Sequence, residues 1–324
     1  MKKLFLLASV LALSGIVAYA QKVDYSIVSV KEESGINFRK ITSDNDQVCM
    51  PAIKRSRKGI DWMTSRILDV SKDGVSIAYL SSKNNITNVF VKNLGRQGAS
   101  VQRTNRSSII DFSYSPDGKL IVFSEKNARG TSIFQTDATN GSICRQITNG
   151  AEDYSPVYSS KMDKIFFARQ ERGGSSIWSY DVKDNFLTSY SDGRNPAMYG
   201  GNAVLCTRVN NGLSEIWRVD YTSGVEECLV SSTEHSYSTP SVSPDGRWIL
   251  FTGSSLITVG KSKFYNTDIY VCRYDGTQLT RLTYHAADDL SPVWSKDGKR
   301  IYFISQRGSA EGVANIWEMT FVLE

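Results

Sequence analysis

Ser115-Pro116-Asp117-Gly118-Lys119-Leu120-Ile121-Val122-Phe123 decides the reading of this chain, because the stretch returns. Ser243-Pro244-Asp245-Gly246-Arg247-Trp248-Ile249-Leu250-Phe251 and Ser295-Lys296-Asp297-Gly298-Lys299-Arg300-Ile301-Tyr302-Phe303 repeat it closely. Ser71-Lys72-Asp73-Gly74-Val75-Ser76-Ile77-Ala78-Tyr79 is a fourth copy, and weaker copies lie at residues 160–167 and 200–205. With Asp73, Asp117, Asp163, Gly201, Asp245 and Asp297 as markers, the spacings are 44, 46, 38, 44 and 52 residues. A period in this range marks an architecture of stacked repeats, in which no single unit buries its own apolar faces.

Each unit reads as four strands. Asp-Gly supplies a tight hairpin turn, because Gly accepts positive φ and Asp bonds its own backbone. A short strand precedes the turn. The strand after it is a continuous apolar run, the pattern of a strand covered on both faces. A third strand carries pairs such as Ile133-Phe134, Ile177-Trp178 and Ile316-Trp317, and a fourth alternates, as in Leu279-Thr280-Arg281-Leu282-Thr283. Four-stranded units of this size, repeated six times, predict an all-β fold: a six-bladed β-propeller of four-stranded blades.

The sixth unit ends before its fourth strand, which would leave an unpaired edge. Phe38-Arg39-Lys40-Ile41-Thr42 carries the fourth-strand pattern of Thr280-Arg281-Leu282-Thr283. The ring is therefore predicted to close with an N-terminal strand, residues 36–42, completing the last blade beside residues 316–319.

The full chain has 324 residues, with 40% hydrophobic, 22% charged and 11% aromatic residues, a globular balance. Lys2-Lys3, the apolar run over residues 4–17 and Ala18-Tyr19-Ala20 read as a cleaved secretory signal peptide over residues 1–20. Residues 21–59 then form an extension that includes the closing strand, and residues 60–324 form the propeller. Cleavage leaves 36 basic and 33 acidic residues, so the formal charge falls from +5 to +3. That balance gives no reason to expect nucleic acid as a partner, and no further run is long enough to cross a membrane. The five cysteines, Cys49, Cys144, Cys206, Cys228 and Cys272, show no paired metal or redox spacing and read mainly as small strand hydrophobes, with one disulfide left open.

The repeats resemble the PD40, or TolB-like, variety of WD40-like propeller. Asp268-Ile269-Tyr270, Leu282-Thr283 and Asp289-Leu290-Ser291-Pro292-Val293-Trp294-Ser295 carry the likeness, and Asp153-Tyr154-Ser155-Pro156-Val157-Tyr158-Ser159 repeats it. The resemblance covers about 260 residues. It implies a six-bladed propeller of the cell envelope, periplasmic or alternatively secreted, that serves as a partner-binding platform.

In such a blade the Asp-Gly turns fall on one face, and the blade-joining and second-to-third-strand loops fall on the other, around the channel mouth. Candidate binding residues on that second face are Arg129, Glu152, Asp153, Arg172, His235, Lys263, Tyr265, His285, Asp288 and Asp289. Asp153 and Asp289 recur before Ser-Pro, which reads as capping of a strand entrance. Residues 253–266 read as a long loop, either a partner contact or a flap folded onto its own blade, and Lys54-Arg55-Ser56-Arg57-Lys58 as a solvated connector.

No nucleophile elbow, HExxH or paired-cysteine site appears, so neither a catalytic residue, a metal nor a cofactor is predicted. The leading expectation is a non-enzymatic platform for an envelope or secreted protein. The alternative is a carbohydrate-binding or carbohydrate-processing propeller, lyase- or glycosidase-like, with acids at the channel mouth and a glycan or other small-molecule ligand.

Overall fold

In the computed structural model the described residues are 23–323, apart from 57–58, 64–65, 97, 143, 150–151 and 260–261; the side chains at 54–65, 255 and 257–264 also lie outside the description. The proposed signal peptide therefore falls outside the described residues. Six antiparallel four-stranded sheets and one two-stranded hairpin make up the fold. Blade 1 runs Leu68–Val70, Ser76–Lys83, Ile86–Asn93, Val101–Gln102 from the axis outward. Blades 2 to 5 follow the same plan and start at Ile109–Tyr114, Asp153–Tyr158, Arg194–Tyr199 and Tyr237–Val242. The chain is a six-bladed propeller.

The repeated turn is held by its own side chains. Ser71 donates to Asp73 Oδ1 at 2.6 Å and accepts from the Ser76 amide at 3.0 Å, while Asp73 Oδ1 also accepts from the Val75 amide. Gly74 supplies the positive φ of 73°. Ser115 with Asp117, Ser243 with Asp245 and Ser295 with Asp297 repeat the device. The hydroxyl of Ser243 is the main reason the Asp245 carboxyl falls to about 2, so the turn acid stays ionised. After each turn the second strand is buried on both faces, as with Ile121, Val122 and Phe123, and neighbouring sheets pack through these residues.

The last blade consists of Asp289–Trp294, Arg300–Ser305, Asn315–Thr320 and, outermost, Phe38–Lys40. The register is Phe38 opposite Met319, Arg39 opposite Glu318 and Lys40 opposite Trp317, as the sequence pattern requires. Arg39 adds a two-point ion pair to Glu318, and the Phe38 ring meets Phe303 edge-on. Thr42, buried, accepts from the Ile316 amide at 2.8 Å and donates to Asn315 Oδ1 at 3.0 Å.

Two sequence expectations are corrected. Residues 253–266 are not a loop: Trp248–Val259 and Ser262–Arg273 pair continuously to Val259–Ser262, so the insertion is a β-ribbon extending blade 5. Its β-branched and aromatic residues, Ile257, Thr258, Val259, Phe264 and Tyr265, favour an extended pair over an irregular loop. The second-to-third-strand connections of blades 1 to 4 are likewise tight turns, not loops, whereas in blade 6 residues 306–314 form the expected loop. Asn84 and Asn85 (φ 53° and 62°) and Asn211-Gly212 (51° and 81°) have the positive φ values of a two-residue hairpin turn. All five cysteines are free, with Cys206 and Cys272 buried but Cys144 and Cys228 exposed.

Replacing Thr42 by Val strips the closure of one buried acceptor and one donor. Urea unfolding should show a loss of about 1–3 kcal/mol; an unchanged midpoint would mean that the closing strand contributes nothing there.

Candidate functional site

Ring geometry places the start of every blade's first strand on the axis. In four blades that strand carries an X-Pro step: Ser155-Pro156, Asn195-Pro196, Thr239-Pro240 and Ser291-Pro292. The residue before each proline has φ between 51° and 61°, and the pairing with the second strand is interrupted there. Proline is tolerated because this innermost edge needs no ladder donor, and the bulge turns the strand around the axis. These steps, with Arg66 and Val293, line an axial cavity of about 20 Å³, the size of a single water site.

The two ends of the axis differ. At the end with the blade-joining connections, the chain after the closing strand docks on blade 1. The Asp46 carboxylate accepts from Tyr79, Ser100 and Lys92, and Val48 bridges to Ser81. Burial opposes ionisation of the Asp46 carboxyl, but the bonds from Ser100, the Ser43 amide and Lys92 outweigh it and hold the group down at about 2. Met50 and Ile53 then pack on Leu290 of blade 6. The hairpin Ile53–Ser56 and Gly59–Met63 follows, and its second strand lies against Leu213–Asp220, Tyr237–Val242 and Trp248–Val259 of blades 4 and 5. The hairpin thus spans this end of the channel from blades 6 and 1 to blades 4 and 5. Residues 54–56 of the Lys54–Lys58 charge run lie in its first strand, with their side chains outside the described set, and residues 57–58 fall outside the described residues.

At the Asp-Gly end the axis opens into a funnel of about 320 Å³. Its wall is apolar and aromatic, with Tyr114, Tyr158, Met198, Val242 and Trp294; its charged lining residues are Arg66, Asp69, Lys72 and Lys296. Asp69 is committed to the scaffold: Oδ2 accepts from the Tyr114 amide at 2.9 Å and Oδ1 from the Val70 amide at 2.8 Å.

The residues singled out in the sequence do not converge. Arg129 and Arg172 are exposed in the hairpin turns of blades 2 and 3. Glu152 is exposed and accepts from Tyr154 and Thr131. Asp153 is fully buried in a two-point ion pair with Arg169. His235 is half-buried, with Nδ1 2.9 Å from the Ser254 carbonyl oxygen. Tyr265 lies on the ribbon opposite Leu256, and the Lys263 side chain is outside the described residues. Asp288 caps Thr267, accepting from its amide and hydroxyl.

His285 and Asp289 fall in one buried cluster whose other members, Glu33 and Arg307, sequence reasoning missed. Arg307 donates to Glu33 Oε2 and Oε1 at 3.1 and 3.0 Å, to Asp289 Oδ2 at 2.5 Å and to the Val28 carbonyl. Arg307, Glu33 and Asp289 are all essentially inaccessible. One guanidinium therefore serves two carboxylates, and burial pushes the Asp289 carboxyl up to about 6. His285 accepts from the Ala287 amide at 2.8 Å, and burial together with nearby Arg307 lowers its imidazole to about 4. The cluster fastens residues 28–33 to blade 6. Among the described residues no group of three His, Cys, Asp or Glu side chains is placed to hold a metal ion.

The two shifts cover the same pH window with opposite sign. Between about pH 4 and 6 the folded chain keeps a proton on Asp289 that the unfolded chain has lost, so this stabilisation disappears as pH rises through about 6. Over roughly the same interval the unfolded chain protonates His285 and the folded chain does not, so that contribution disappears as pH falls towards about 4. Relative to the parent, Asp289→Asn should lose stability on acidification from pH 7 to 4, and His285→Gln should gain it, each by on the order of 2–3 kcal/mol. Urea titrations at several pH values test this; differences of the same sign in both variants would contradict it.

An all-β ring of six four-stranded blades, with X-Pro bulges on its axis and a strand borrowed from the N-terminal side, defines the class of protein: a closed β-propeller. PD40, the TolB beta propeller domain, matches residues 15–257, and the chain belongs to this family. The Tol-Pal system protein TolB of Francisella tularensis subsp. tularensis is 32% identical over 127 residues, 37% of this chain and 29% of that protein. The chain spans less than two thirds of the length of the first curated relatives it matches. Among solved structures, the putative TolB from Agrobacterium tumefaciens superposes with a TM-score of 0.59 at 17% identity, covering 82% of this chain and 94% of that one. The oligogalacturonate lyase from Vibrio parahaemolyticus gives 0.59 at 11% identity, covering 90% and 96%. At these identities the likeness to both structures is one of fold.

Proposed function

We propose that the protein is an exported, non-enzymatic propeller that binds a protein partner in the cell envelope, in the periplasm, through the funnel at its Asp-Gly face. The observation that carries this reading is the funnel itself. It is a broad concavity of about 320 Å³ with an apolar and aromatic wall, and its one carboxylate is bonded to backbone amides. That is the composition of a recognition surface. Membership of the TolB propeller family supports it, as does likeness to Tol-Pal system proteins. The Lys-Lys and apolar leader supports export. Among the described residues no helix is long and apolar enough to cross a membrane.

The site chemistry weighs against the carbohydrate-processing alternative. His285 is buried in the cluster that anchors residues 28–33, and His235 bonds a backbone carbonyl of blade 5, so the two imidazoles serve separate local contacts. Asp153 and Asp289 are engaged by Arg169 and Arg307.

In-cell photo-crosslinking tests the reading. A benzoylphenylalanine at Ser160, on the funnel rim, should give one discrete adduct with an exported protein. The same probe at Phe186, which is 65% exposed on an outer edge, should not. Equal labelling from both positions, or turnover of oligogalacturonate by the purified chain with no adduct at Ser160, would overturn it.

A further inference from the structure

The funnel has a charge asymmetry that the platform reading does not require. Lys72 and Arg66 belong to blade 1 and Lys296 to blade 6, its neighbour across the closure. The opposite wall, from blades 3, 4 and 5, is neutral: Ser160, Ala197, Met198, Ser241, Val242 and Pro244. Three cations therefore stand on one side, against the single carboxylate of Asp69, whose two oxygens already accept backbone amides. Among the described residues none of the three cationic side chains has a hydrogen-bonding or ion-pair partner. Arg66 is half-buried where the axial cavity meets the funnel and lines both.

The lysines are placed by the repeat. In each Ser-x-Asp-Gly turn residue x borders the funnel, and the stems of Lys72 and Lys296 rest on the turn of the next blade. A methyl group at Gly118 would sit 2.9 Å from Lys72 Cβ, and one at Gly74 would sit 3.4 Å from Lys296 Cβ. The glycines therefore leave room for the stems to lie at the rim with the ammonium groups free. Among the described residues the side chain of Tyr114, beside them, has no hydrogen-bond partner.

A guanidinium held partly out of water without an acceptor is an unmatched donor fork, and the fork fits a carboxylate with two parallel bonds. Two lysines on the same side extend the positive field along the rim, where an arriving anion first meets it. The apolar wall opposite accepts uncharged side chains.

We infer that the funnel takes an extended acidic segment of the partner protein, with one carboxylate reaching Arg66, further carboxylates along Lys72 and Lys296, and the intervening apolar side chains on blades 3 to 5. This inference rests on the platform reading and assigns its ligand chemistry.

Selection of random dodecapeptides on the immobilised mature chain, followed by fluorescence anisotropy with synthetic copies of the winners, tests it. The winners should be rich in Asp and Glu. Their binding should weaken with added salt, and roughly 10- to 100-fold on Arg66→Gln or on the joint change Lys72→Glu and Lys296→Glu. Both lysines are exposed, so the double variant tests the charge even if Arg66→Gln perturbs folding. Neutral or basic winners that compete for the funnel would overturn the acidic ligand and leave the platform reading standing. Failure to select any peptide, with oligogalacturonate or anionic phospholipid vesicles bound instead and released by the same substitutions, would overturn both.

Discussion

Ring closure is the constraint on which the rest of the molecule depends. Each blade buries its faces only against two neighbours, so the first and last must meet, and the last reaches full width only when Phe38–Lys40 pairs with Asn315–Thr320. The closing strand is fixed by register, by the buried Thr42–Asn315 contact and by the Arg39–Glu318 pair. Just before it in the chain, Arg307 clamps Glu33 to blade 6; just after it, Asp46 anchors the segment to blade 1. One tie thus holds the ring together, sets the diameter of the axis and delivers the hairpin that spans one end.

That spanning hairpin gives the molecule its polarity. The blade-joining end is crossed by the chain's own residues, while the Asp-Gly end carries the funnel. The Ser-x-Asp-Gly turn then acquires two roles. Ser and Asp close the hairpin through mutual hydrogen bonds, Gly makes the turn and, at Gly74 and Gly118, receives the neighbouring blade's lysine stem, and x is free to vary and faces the funnel. Stability and recognition are carried by adjacent positions of one motif.

Much of the fold was legible because it repeats. The near-identical copies at Ser115, Ser243 and Ser295 give the blade, and the likeness of Phe38–Thr42 to Thr280–Thr283 gives the closure. The ribbon of blade 5 was hidden because an insertion breaks the period, and no Asn-Gly or Asp-Gly signal for a hairpin occurs within residues 253–266. The Lys54–Lys58 run masked a hairpin strand in the same way. The candidate site was less legible. Arg307 and Glu33 lie 274 positions apart, so no local pattern joins them. Asp153 and Asp289 stood out by recurrence, which here reflects buried ion pairs. Lys72 and Lys296 sit at the variable position of the turn and resemble ordinary solvated residues until the ring brings them together.

Hydrogen–deuterium exchange of the mature chain, with and without its bound partner, tests the central claim that recognition takes place in the funnel. The account predicts protection confined to residues 69–72, 114–116, 157–160, 197–198, 241–244 and 293–296, which come from all six blades and meet only at the Asp-Gly end. Protection centred instead on the blade-joining connections, with the funnel segments unchanged, would contradict it.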